Sequence, residues 1–82
     1  MNNQVWGRQA KQFLKKEMQQ YAITCESLSQ KLEKIQVHIT PEEVKRKLKR
    51  ESISAEFWLS SLCAMGVETI NLKELKTLKG TL

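Results

Sequence analysis

The chain has 82 residues, 40% of them hydrophobic and 28% charged, which suffices for one small folded domain, is too short for two, and is too apolar for a disordered segment. Fourteen Lys and Arg against nine acids, all of them Glu, give a net charge of +5, and five of the cations stand in the hexapeptide Lys45-Arg46-Lys47-Leu48-Lys49-Arg50. Outside that segment basic and acidic residues balance, so the charge speaks for a local anionic partner and against a generally cationic protein.

A first helix is predicted over residues 4 to 21, where Trp6, Ala10, Phe13, Leu14, Met18 and Tyr21 form a core-facing stripe with charges between. Ala22-Ile23-Thr24 breaks that pattern. Thr24 suits an N-cap, its hydroxyl accepting from a free amide of the next helix. That second helix carries Leu28, Leu32 and Ile35 inward and shows Ser27, Gln30, Lys31 and Lys34 outward. Through Ile35, Val37 and Ile39 the apolar residues alternate with the period of a strand. A lone four-residue strand needs a partner, so residues 36 to 39 read as an extended connector with His38 at its rim. A minimal two-stranded pairing with residues 67 to 70, within or between chains, is the alternative.

Thr40-Pro41-Glu42-Glu43 is the clearest local signal: threonine at N-cap, proline at N1 and glutamate at N3 make a helix start with a capping box. The third helix runs to about Arg50 and buries Val44 and Leu48. Ser54 caps a fourth helix over residues 55 to 65, with Ala55, Trp58, Leu59, Leu62 and Met65 as its inner face and Gly66 at a left-handed C-terminal cap. Asn71, with Glu74 three residues on, starts a short fifth helix carrying Leu72, Leu75 and Leu78 and ended by Gly80. The expectation is an all-α, single helical domain over residues 1 to 82, with five short helices and few possible arrangements. A chain this small buries only about 60% of its unfolded surface. A homodimer covering more apolar surface through the fourth and fifth helices would add stability.

Cofactor chemistry finds little foothold. His38 is the one histidine, and Cys25 and Cys63 stand far apart. Neither a C-x-x-C nor an H-x-x-x-H pair exists to begin a zinc site, and the glycines are isolated, so no phosphate loop can form. So short a chain leaves little room for a pocket around a Cys–His pair. No catalytic residue, metal or cofactor is expected, and the protein is not expected to be an enzyme. The longest apolar run, residues 62 to 67, is far short of a membrane span. The polar opening, without a secretory h-region, leads to the expectation of a cytoplasmic protein with reduced thiols serving as small apolar fillers.

Projecting the third helix at 100° per residue with Val44 and Leu48 inward points Arg46 directly outward, flanked by Glu42 and Lys49. Arg50 and Glu43 lie on one shoulder and Lys45 on the other, while Lys47, nearest the core, would snorkel. Glu42 with Arg46 and Glu43 with Lys47 are i, i+4 pairs in the favoured order, so a self-paired solvated face would also look like this. Those pairs use two of the five cations, and the remainder suits phosphate binding with counterion release.

The order of elements, a helix containing Phe13-Leu14-Lys15-Lys16-Glu17-Met18 followed by residues 23 to 32, then Thr40 to Leu48, then residues 54 to 67, resembles the lambda-repressor-like helix-turn-helix domains of bacterial and phage regulators. The likeness covers roughly residues 10 to 78 and is one of pattern. Leu28 and Leu32 look like the inward positions of the family's second helix, and Val44 like that of its recognition helix. Residues 62 to 67 look like the end of its fourth helix. The resemblance implies a helix-turn-helix over about residues 24 to 50, and the chain departs from it in an extended turn between helices 2 and 3, from Ile35 to Thr40, longer than is usual in the family. It places the third helix in the major groove of double-stranded DNA and a phosphate at the amides that open the second helix.

Carried onto this chain, Thr40, Glu42, Glu43 and Arg46 would be nearest the bases, Lys45, Lys49 and Arg50 along the phosphates, and Thr24, Cys25 and Ser27 at the second-helix contact. Arginine can bond guanine O6 and N7 and glutamate can accept from cytosine N4, and Arg46 is the leading candidate. The chain differs from the family where Gln36 replaces a common glycine, Cys25 a frequent glutamine and Glu51 a frequent glycine. The function implied is sequence-specific DNA binding by a small dimeric transcriptional regulator. The alternative is a helical protein-interaction module, an adaptor or inhibitor from a mobile element, motivated by Glu42 and Glu43 at the groove-facing end and by apolar display of Trp6, Phe57 or Trp58.

Overall fold

A computed structural model describes residues 4–76 of the chain. The architecture is all-α: α1 (Gln4–Gln20), α2 (Cys25–Lys34), α3 (Pro41–Lys49) and α4 (Ala55–Ala64) are followed by a single helical turn, Leu72–Lys76. The five-helix architecture expected from the sequence is therefore corrected to four helices. The expected fifth is barely more than one turn, closed by the bond from Leu75 N–H to the Asn71 carbonyl (3.1 Å) and started by the Asn71 side chain accepting from Lys73 N–H (2.9 Å). Five residues close too few ladder bonds to form a helix of their own. Leu78 and Gly80, placed on that helix by the sequence reading, lie outside the described residues. Among the described residues there is no strand, so residues 36 to 39 are a connector and do not pair with residues 67 to 70 within the chain.

Each helix after the first begins on a side-chain cap. The Thr24 hydroxyl accepts from Ser27 N–H (3.1 Å), and the Ser27 hydroxyl oxygen accepts from Thr24 N–H (2.8 Å). Thr40 and Glu43 repeat this reciprocal box at α3, and Ser54 accepts from Phe57 N–H at α4 (3.3 Å). Three helix ends share one lock. After α1, α2 and α4 a residue with positive φ, Ala22 (54°), Gln36 (69°) or Gly66 (87°), reverses the chain. The β-branched residue that follows donates its N–H back across six residues: Ile23 to Met18 (2.8 Å), Val37 to Leu32 (2.9 Å), Val67 to Leu62 (3.0 Å). This is the Schellman arrangement, in which the apolar residue beyond the turn also packs toward the last helical turn. Glycine occupies that left-handed position in only one of the three.

α2 packs on α3 and α4, and α1 on α4 and the terminal turn. Their shared core is Phe13, Leu14, Met18, Leu28, Leu32, Val44, Leu48, Phe57, Leu62 and Leu75. Trp6 and Tyr21, the ends of the stripe expected to be buried, are more than half exposed, so the buried part of the stripe is Phe13, Leu14 and Met18. The inner face of α4 is also rotated from the expected one. Phe57 and Ser61 are buried, Trp58 is half-buried and Leu59 is 56% exposed. Apolar residues surround this helix, so periodicity alone does not select a side. The Trp58 indole N–H donates to the Ala10 carbonyl (2.7 Å) and its ring meets Phe13 at 6.1 Å. Gln9, fully buried, donates from Nε2 to the Leu75 carbonyl (3.2 Å).

Gly7 lies so close to the segment after α3 that a Cβ there would fall 2.5 Å from the Cβ of Ser52. Gly7→Ala is expected to cost about 1–3 kcal/mol by overpacking, with Ser52→Gly restoring part of the loss in the double variant. Ala22→Gly and Gln36→Gly are each expected to raise stability by up to about 1 kcal/mol, read as a higher urea midpoint, by removing the Cβ penalty of the left-handed turn. Gly66→Ala should lower it by a similar amount. Equal midpoints for all these variants at unchanged m-value would contradict the backbone account.

Candidate nucleic-acid interface

α3 is nine residues long and only Val44 and Leu48 of it are buried. With those two inward, the rest of the helix turns its charges out. Glu42, Lys45, Arg46, Lys49 and the C-cap residue Arg50 are exposed, as is Thr40 at the N-cap. Lys47 lies at the edge of the core with its ammonium 5.6 Å from the centre of the Phe57 ring, within cation–π range. That ring is core, so the apolar display imagined for Phe57 does not occur.

The glutamates at the head of α3 are not equivalent. Glu43 Oε1 accepts from Thr40 N–H (2.9 Å) and from the Thr40 hydroxyl (3.2 Å). These bonds, the backbone one first, hold its carboxyl below the ordinary glutamate pKa, and the positive charges of Arg46 and Lys47 add to the effect. Glu42 has no such engagement. The i, i+4 ion pairs expected from the sequence do not close: among the described residues the salt bridge is Arg8–Glu51 at 2.7 Å. That pair also changes the meaning of Glu51, whose charge just beyond α3 is met by the Arg8 guanidinium. Both partners are substantially exposed, so the pair adds little stability, but it cancels an anion beside the basic face.

The fold gathers the expected site residues into two places. A surface cleft of about 340 Å³ joins the starts of α2 and α3, lined by Thr24, Cys25, Glu26, Pro41, Glu42 and Lys45. The Ser27 hydroxyl is engaged in the α2 cap, and Cys25 packs partly against the core. Of the second-helix trio, Thr24 is the exposed side chain. Lys49 and Arg50 lie at the far end of α3, where the sequence reading missed a contribution from α1. The Lys11 ammonium donates to the Arg50 carbonyl, and Lys15 lines an open groove of about 510 Å³ with Leu48 and Thr24 among its walls. Arg8, Lys11 and Lys15 recur at helical spacing on α1, and that stripe was the available signal. The positive surface therefore continues from α3 onto α1 and is wider than the hexapeptide.

Among the described residues no group of His, Cys or Glu is arranged to hold a metal ion, and no helix is long and apolar enough to cross a membrane. Both cysteines are free thiols. The molecule is thus a small helical domain whose most distinctive surface is a charged helix face. Residues 6–70 match the family described as a domain of unknown function, DUF6471, and the chain belongs to that family. No curated protein and no solved structure matches it.

Glu43 supplies a pH test of the cap. Its folded-state pKa is lowered, so its stabilising contribution is full above the unfolded glutamate value of about 4.3 and is lost as pH falls through the lower folded value. The unfolding midpoint is expected to drop across that acid window, and Glu43→Gln should flatten the drop. An identical acid profile for Glu43→Gln would show that the cap carries no linkage.

Proposed function

We propose that this domain binds double-stranded DNA in a sequence-dependent manner as a small transcriptional regulator, with α2 and α3 acting as a helix-turn-helix and α3 entering the major groove. The observation that carries the reading is the outward row Glu42, Lys45, Arg46 and Lys49, exposed on a helix anchored by Val44 and Leu48 and left without ion pairs among the described residues. Arg46 stands central to that row. The resemblance of the element order to lambda-repressor-like domains of bacterial and phage regulators supports the same docking. So does the joining of the α2 and α3 starts around one cleft, since an α2 start beside the recognition helix can meet a phosphate.

On this reading Lys45, Lys49 and Arg50, with Lys11 and Lys15, track the backbone. Thr24, Cys25 and Ser27 approach a phosphate at the α2 amides, while Thr40, Glu42 and Arg46 lie nearest the bases; Glu43, expected beside them, is committed to the Thr40 cap. The domain acts in the cytoplasm as a homodimer on two half-sites, without catalytic chemistry or a cofactor. A second reading, a helical module that binds a protein partner, draws support from the exposed side chains of Trp6, Tyr21, Leu59 and Leu72.

Fluorescence anisotropy on random and selected duplexes at two salt concentrations tests the proposal. Affinity should fall steeply with salt. Arg46→Ala combined with Lys49→Ala should weaken binding at least about tenfold and flatten the salt slope by about one for each phosphate that is no longer neutralised. Binding that ignores salt or survives the double substitution overturns it. Recovery of one stoichiometric protein partner, with no duplex binding at low salt, would favour the second reading.

A further inference from the structure

The two glutamates that open α3 differ in what their carboxylates are free to do. Glu43 is held by the N–H and hydroxyl of Thr40, and turning it toward a ligand would open the helix cap. Glu42 is exposed, has no hydrogen bond or ion pair among the described residues, and borders the cleft together with Lys45. One turn on, Arg46 is exposed and equally uncommitted. Residues four apart lie on one helix face about 6 Å apart along the axis, close to two base steps at about 3.4 Å each.

An ionised carboxylate accepts hydrogen bonds and cannot donate them. Beside a phosphate it is repelled, so Glu42 has no favourable place on the DNA backbone. On major-groove edges the donors are the amino groups of cytosine and adenine, and adenine sets its N7 acceptor next to that amino group. A carboxylate bonded to adenine would therefore face a lone pair, whereas the cytosine edge presents none there. The arginine fork has the opposite preference and matches the paired acceptors O6 and N7 of guanine.

We infer, resting on the DNA-binding reading above, that Glu42 is a specificity-determining residue that accepts from a cytosine amino group while Arg46 bonds a guanine within about two base steps of it. Glu43 takes no part in base recognition and serves the cap. Glu42 thus selects a site by excluding other bases, since it adds no attraction to the polyanion.

Selection of bound duplexes from a random pool, using the full chain and its variants, reads this directly. The wild-type pool should be enriched in a cytosine and a guanine at that separation, with roughly 5- to 150-fold discrimination at each position. Glu42→Gln should replace the cytosine preference by adenine, whose N6 and N7 glutamine bonds together. It should leave the guanine position and the salt slope unchanged. Glu43→Gln should lower thermal stability and leave both preferences intact. A Glu42→Gln pool with the wild-type preference, a shifted preference for Glu43→Gln, or wild-type binding without base preference overturns this inference while DNA binding stands. Absence of salt-dependent duplex binding by the wild-type chain overturns the underlying reading as well, and the two failures are told apart by the wild-type measurement alone.

Discussion

The burial of Val44 and Leu48 is the constraint on which the outer surface of this domain depends. α3 is otherwise a run of charges with one proline, and no helix of nine residues holds its shape in water on propensity alone. Two apolar side chains one turn apart, 0% and 7% exposed, fix both the position of the helix and its rotation. Once that rotation is set, every other side chain of α3 has its direction. The remaining restraints act at the ends: the Thr40–Glu43 box at the head, and the Lys47–Phe57 contact and the Lys11 bond to the Arg50 carbonyl toward the tail. A charged helix anchored in this way presents a rigid array, and rigidity makes a pattern of charges readable by a partner.

What the sequence disclosed divides by range. Helix starts were legible because a cap needs only a hydroxyl and an amide three residues on, and Thr24, Thr40 and Ser54 all do what their positions suggested. One helix end was legible, at Gly66. Ala22 and Gln36 adopt the same left-handed turn without the residue that announces it. There the signal lay in the repeated order of a buried apolar residue, three intervening residues, a reversal and a β-branched residue. Burial on α4 was not legible, since Phe57, Trp58, Leu59 and Leu62 offer apolar surface on several sides and only packing on α1 and α2 decides among them. Ser61 is buried with its hydroxyl unpartnered among the described residues, the reverse of what its polarity suggested.

The candidate interface follows the same division. The orientation of α3 came from the four-residue spacing of Val44 and Leu48 and agrees with the exposed positions of Glu42, Lys45, Arg46 and Lys49. The cleft joining α2 to α3, the engagement of Glu51 by Arg8 and the arrival of Lys11 and Lys15 beside the basic end are tertiary facts. Counting charges along the chain treats Glu51 as a cost to the basic segment and merges the cations of α1 into a balanced remainder. In three dimensions Arg8 offsets the former and the α1 lysines extend the segment, so the effective surface is more positive and broader than the count.

The restraints from α1 span long stretches of chain. Arg8 reaches Glu51, Lys11 reaches Arg50, Gly7 rests on Ser52, Ala10 receives the Trp58 indole, and Gln9 bonds to Leu75. During synthesis the first helix therefore emerges well before α4, the main helix on which it packs. α2 and α3 are neighbours in sequence and can associate early, whereas Phe13 stays without Trp58 until α4 is made. Closure of this domain is accordingly a late step that waits on α4. In that interval the apolar stripe of Phe13, Leu14 and Met18 lacks the cover that α4 gives it in the folded domain.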